Sequence, residues 1–267
     1  EEKNMSFNPN ELILEKIRSV EEYDPATNEL TGRYTQIEEP SLKTSAEATE
    51  VTDAMGSTIY TIYKAQKGTF DFSNSLFSLD LAASQYGSDK VIATADDEII
   101  VPVSEVITIA NDHTVTLKYT PVGAAGAEVK YVKVINSDNT FGETYEVSAT
   151  AGDKKFTING NVITMPEDVT GRVFVNYVKK SPEAVQITKK TDNVPKVKTL
   201  LIHAIFHSVC DTNKVYAGII RCPKAQIDPS STEISLKSDG KHPASYILQK
   251  DYCGDSSTLF DIIVSND

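Results

Sequence analysis

His203 and His207 stand four residues apart in Leu-Leu-Ile-His-Ala-Ile-Phe-His-Ser-Val, a spacing that sets two imidazoles on one face of a helix. In a helical metalloprotease motif a Glu follows the first His; here that position is Ala204. The β-branched surroundings also favour a strand, on which the two rings still share a face with Ile205 between them. Cys210, Cys222 and Cys253 lie downstream, but without the close Cys-x-x-Cys pair that structural zinc sites use. Hydrogen-bonded histidines and buried free thiols are therefore expected rather than a metal centre. The other two histidines, His113 and His242, accompany no Gly-x-Ser-x-Gly elbow and no cysteine in a protease context. Any two of the 38 carboxylates could converge as an acid–base pair, although a solvated acidic face is the commoner use of such residues. The run Val122-Gly-Ala-Ala-Gly-Ala lacks the Gly-Lys-Ser/Thr ending of a phosphate loop and reads as a loop between strands. Asn4-Met5-Ser6 is a lone glycosylation sequon. No motif commits the chain to catalysis, and no metal or cofactor is expected.

What would position such groups is a chain of 267 residues, 40% hydrophobic and 24% charged, the balance of a globular protein with one large or two ordinary domains. No apolar run reaches membrane-spanning length, and Glu1-Glu-Lys-Asn lacks the layout of a signal peptide. Three widely spaced cysteines suit a reducing compartment better than a disulfide framework. The net charge of −12 argues against wrapping nucleic acid with a basic surface. That charge is uneven: residues 1–100 carry 8 basic and 19 acidic side chains, residues 101–267 carry 18 and 19.

Strand signals dominate. Gly56-Ser-Thr-Ile-Tyr-Thr-Ile-Tyr and Gly68-Thr-Phe-Asp-Phe read as a hairpin turning at Gln66–Gly68. One helix follows, capped by Ser73 or Asn74, with Leu76, Leu79, Ala83 and Tyr86 at helical spacing and Gly87 as its left-handed stop. From about Val101 to Lys180 short strands recur every ten residues or so, the rhythm of an immunoglobulin-like sandwich. Within it, Asn159-Gly160 is a strong hairpin signal. In Val173-Phe-Val-Asn-Tyr-Val, apolar and polar residues do not alternate strictly, so this strand is expected to be covered on both faces. After Glu183 strands return at Leu200–Val209, Val215–Arg221, Glu233–Leu236, Ser245–Gln249 and Leu259–Val264. The expected fold is mainly β with one packed helix: residues 1–95 and 183–267 form a discontinuous domain, and 96–182 an inserted sandwich.

The stretches Gly68-Thr-Phe-Asp-Phe-Ser-Asn-Ser-Leu-Phe-Ser-Leu, Val215-Tyr-Ala-Gly-Ile-Ile-Arg-Cys-Pro and Gly240-Lys-His-Pro-Ala-Ser-Tyr resemble those of tailed-bacteriophage tail tube proteins, with an immunoglobulin-like insertion. The resemblance implies a non-enzymatic virion protein, assembled in the host cytoplasm. Its subunits would form stacked, hexameric rings whose strands line a β-barrel conduit for genome ejection. It implies tail sheath and baseplate or neck proteins as neighbours, passage of viral DNA without specific binding, and no membrane insertion. An electronegative lumen would repel phosphates, and Glu38, Glu39, Glu47, Glu50, Asp53 and Asp71 are its expected lining. Ile59, Ile62, Phe70, Phe72, Ile202 and Ile205 mark the strands expected between subunits, since open edges need partners. The competing reading is a surface-exposed immunoglobulin-like binding or adhesion module, or another virion decoration protein, with the sandwich as its working part.

Overall fold

The computed structural model describes residues 8, 10–209, 213–230, 233–234, 240–251 and 257–265. The chain divides into two compact units, Glu1–Lys90 with Ile187–Asp267, and Val91–Gln186.

The first unit opens with β1 (Leu12–Tyr23), β2 (Leu30–Tyr34), β3 (Ile37–Ser45), β4 (Ala48–Thr52), β5 (Thr58–Tyr63), β6 (Lys67–Asn74) and helix α1 (Leu79–Tyr86). The second unit holds β7 (Val91–Ile92), β8 (Ile99–Thr108), β9 (Thr114–Thr116), β10 (Tyr131–Ile135), β11 (Phe141–Val147), β12 (Lys155–Asn159), β13 (Val162–Thr164), β14 (Arg172–Ser181) and β15 (Val185–Gln186). The chain then returns to the first unit with β16 (Val197–Ser208), β17 (Val215–Ile227), β18 (His242–Leu248) and β19 (Asp261–Ser265).

In the first unit an antiparallel sheet runs β2-β1-β16-β17-β18-β6-β3, with β19 on the first half of β17. It curls into a nearly closed barrel, bringing β3 back toward β1. Strict alternation makes this possible. In β6, Phe70, Phe72 and Asn74 point inward. In β16, Leu200, Ile202 and Ala204 do the same, as period-two patterning requires of a half-buried strand. Phe70, Phe72, Tyr246 and Tyr34 form the aromatic centre, with Phe72 stacked on Tyr246 at 6.1 Å between centroids.

Helix α1 starts later than the sequence suggests. Ser78 is its cap, accepting from the Leu81 N–H at 3.2 Å, because β6 stays paired through Asn74 and leaves Leu76 outside the helix and exposed. Its buried face is Leu81, Ala82, Ala83 and Gln85 rather than Leu76, Leu79, Ala83 and Tyr86. Gly87 ends it in the left-handed region at φ 63°, where an added Cβ would lie 2.2 Å from the Val194 carbonyl oxygen.

Two polar clusters tie α1 to the barrel. The fully buried Glu22 accepts from Ser84 Oγ at 2.5 Å and from the Tyr246 hydroxyl. Burial pushes its carboxyl above the ordinary range. At the other end, His242 Nδ1 accepts from the Ser78 N–H at 3.3 Å, and its Nε2 donates to Gln85 Oε1 at 2.8 Å. That pattern fixes the Nε2–H tautomer.

In the second unit the strand order is β8-β14-β10-β11-β12-β13-β9. Phe156, Ile163, Val132, Val173, Val175 and their neighbours form one core. The hairpin expected at Asn159-Gly160 forms one residue later: Asn159 pairs with Val162, and Gly160-Asn161 turns β12 into β13, with Gly160 at φ 61°. The run 122–127 lies in the connection from β9 to β10. The chain enters and leaves through β7 paired with β15, Ile92 opposite Val185. Pro102 lies within β8. Of the expected strand Glu233–Leu236, Glu233 and Ile234 are not extended into a ladder; the rest lies outside the described residues.

Candidate assembly surface

The hairpin expected at Gln66–Gly68 does not form. Instead β3 pairs with β6, Leu42 opposite Phe70, and β4 pairs with β5, Val51 opposite Tyr60. Residues 37–74 are thus one long antiparallel excursion whose outer part, β4–β5, belongs to no larger sheet. Its turn is closed by Asp53 Oδ1, which accepts from the N–H groups of Met55 at 2.9 Å and Ser57 at 2.8 Å. Its base is pinned by Glu47, bonded to Lys64 at 2.9 Å and Lys67 at 2.8 Å.

This ribbon is apolar on both faces. Val51 and Tyr60 share one side with Thr49 and Ile62, while Ile59 and Tyr63 occupy the other. Exposure reaches 67% for Ile59, 69% for Tyr63 and 92% for Met55. A two-stranded ribbon is marginal alone in water, and paired apolar faces of this kind mark contact surfaces. The barrel adds open edges: β2, β3 and β19 each pair on one side only among the described residues. On β19, Ile262 and Ile263 are more than half exposed.

Of the residues expected between subunits, Ile59 and Ile62 lie on the ribbon. Phe70, Phe72 and Ile202 do not: they are 2%, 3% and 0% exposed in the barrel core. Ile205 is half-buried on β16. Strands β6 and β16 are each paired on both sides, so neither offers an edge. Their apolar content reports packing within the chain. The signal missed was β19, where Ile262 and Ile263 break the alternation.

The six expected lumen acids do not form a bare carboxylate wall. Lys241 bonds Glu38 at 2.6 Å and Glu39 at 2.9 Å, and Lys43 bonds Asp71 at 3.1 Å. Lysine contacts hold Glu38 and Glu47 below the usual carboxylate range. Glu50 and Asp53 sit on the ribbon, with no basic partner within ion-pair distance among the described residues.

The histidine pair resolves as strand chemistry. His203 meets Glu21 at 3.2 Å and His207 meets Glu15 at 2.6 Å, across the β1–β16 ladder. Cys222 is fully buried and its thiol is pushed up to about 12 by burial; Cys210 and Cys253 lie outside the described residues. Among the described residues no three His, Cys, Asp or Glu side chains gather as a metal site, and no helix is long and apolar enough to cross a membrane.

The described residues thus present a barrel with unpaired edges and a projecting ribbon with exposed apolar residues on both faces. The sequence matches the YomU/Tube protein family over residues 12–255, and the chain belongs to that family. The family's name points to a structural component of the phage tail tube. Among curated proteins, none matches the chain closely enough to count as a relative.

Proposed function

We propose that this chain is the repeating subunit of a phage tail tube, polymerising as stacked, hexameric rings that form the conduit for genome ejection. The observation that carries this is the β4–β5 ribbon, whose two apolar faces require contact with neighbouring copies. The open edges of β2, β3 and β19 supply ring contacts: joining unlike edges head to tail closes a ring when the rotation per subunit divides a full turn. The second unit, read as an immunoglobulin-like insertion, is the part proposed to meet the sheath in the tail. Baseplate or neck proteins would meet the tube ends. Glu38, Glu39 and Asp71 on β3 and β6 remain the barrel-borne lumen acids, moderated by Lys43 and Lys241, so that DNA is neither held nor strongly repelled.

Sedimentation velocity across a concentration series, with negative-stain microscopy of each fraction, tests this. Rings or tubes with a stain-filled channel are expected. A monomer at every concentration, including with preformed tube ends added as seeds, overturns the reading.

A further inference from the structure

The second unit carries an unpartnered face of its own. Strand registers place Val106 beside Phe174, and Arg172 beside Ile135 and Phe141, on the side of β8-β14-β10-β11 away from the core. Tyr131 joins them, and Val106, Tyr131 and Phe141 are 54%, 55% and 60% exposed. Phe141 and Phe174 meet edge to face at 5.5 Å. This is the strand whose sequence lacks strict alternation, yet its second face has no cover within the unit. An antiparallel sheet open to water normally shows polar residues there.

The charges on this face are also distinctive. Lys133, Arg172 and Lys180 point outward with it, against the single carboxylate Glu146. The unit as a whole is acidic, with 8 basic and 13 acidic residues over 91–186. Like cations would repel one another if two such faces met. The ribbon is the complementary surface. Lys64 and Lys67 pair Glu47 at its base, but Glu50 keeps its charge and shares a face with Tyr63 and Ile59, both more than half exposed. The other apolar edge, β19, carries Asp261 and offers the ribbon no comparable cluster of cations. The sizes also agree: four strands span roughly 19 Å, enough to seat a two-stranded ribbon about 10 Å wide face to face.

We infer that the Ile59/Tyr63 face of the ribbon of one copy, which also carries Glu50, packs on the Val106/Phe174/Phe141 face of the second unit of another copy, with Glu50 directed toward Lys133 and Arg172. This rests on the reading of the chain as a self-assembling subunit and names the surface that receives its ribbon. The inserted unit then becomes a working part of the polymer.

The test is a charge exchange in the full chain, with folding of each variant checked by circular dichroism. Glu50→Lys sets cation against cation and Lys133→Glu sets anion against anion, so each variant alone should raise the critical concentration for assembly at least about tenfold. An equimolar mixture of the two should assemble as wild type does, because every ribbon then finds a face of opposite charge. The double variant Glu50→Lys/Lys133→Glu should be restored likewise. Normal assembly of either single variant, or no rescue on mixing, overturns this contact while wild-type tubes leave the tube reading standing. If wild type does not assemble even when seeded, both fall together.

Discussion

Glu22 and His242 act on stability with opposite signs. The Glu22 carboxyl is raised by burial above the ordinary 4.5 of a glutamate, so between 4.5 and its native value the folded state holds a proton that the unfolded chain has lost. Its contribution is full below 4.5 and declines as pH rises through the native value. The His242 imidazole is lowered from 6.5 by burial. Its contribution is full above 6.5 and declines as pH falls toward the native value, because protonation removes the acceptor for the Ser78 N–H. Thermal midpoints measured from pH 4 to 9 should show both slopes. Glu22→Gln should flatten the alkaline one while keeping Ser84 and Tyr246 hydrogen-bonded. Glu22→Ala, which strands both hydroxyls, should cost about 1–3 kcal/mol. Neither group announced itself in the sequence. Glu22 sits in an acidic stretch that reads as solvated surface, and only the pairing of Val20 with Ile202 and of Glu22 with Leu200 turns it inward. The lysines beside Glu38, Glu39 and Asp71 were hidden for the same reason: Lys241 is about 200 residues from the acids it meets.

At the level of elements, the end of α1 was legible and its start was not. Gly87 announces a left-handed stop from its type alone, whereas Ser73, Asn74 and Ser78 are all competent caps and only the β6–β18 ladder decides among them. Ser78→Ala should cost about 1 kcal/mol in chemical denaturation. Gly87→Ala should cost more, because strain at positive φ is compounded by collision with Val194. The β12–β13 hairpin was also readable to within one residue, since its signal is local, but the ladder keeps Asn159 opposite Val162 and turns at Gly160-Asn161. The β3–β6 pairing was not, because a nested hairpin of more than twenty residues separates the partners and the nearer segment, β5, looks equally suitable. Shortening that nested hairpin, by replacing Val51–Tyr60 with a two-residue Asn-Gly turn, should leave the circular dichroism of the barrel intact. It should abolish sedimenting polymers.

For the molecule as a whole, the division of charge seen along the sequence acquires a structural reading. Much of the early acidity is spent in ion pairs, leaving Glu50 and Asp53 as the ribbon's carboxylates without a basic partner among the described residues. Tubes of a Glu38→Lys/Glu39→Lys/Asp71→Lys variant should retain a fluorescent single-stranded oligonucleotide at low salt, where wild-type tubes release it; equal release would move the lumen to another wall. The chain divides into two compact units, the second spanning Val91–Gln186. The β7–β15 ribbon that frames it has a consequence for kinetics. The barrel cannot pair β1 with β16 until segments on either side of a 96-residue stretch meet, and closing a loop of that length is entropically slow. Once the inserted unit has folded, Ile92 and Val185 are already neighbours, and the loop between Tyr23 and Thr199 is cut to roughly half its length, a gain of about 0.7 kcal/mol by the logarithmic law. The insert should therefore act as a folding clamp. Phe156→Ala, confined to its core, should slow the appearance of barrel structure in stopped-flow refolding although it touches no barrel residue.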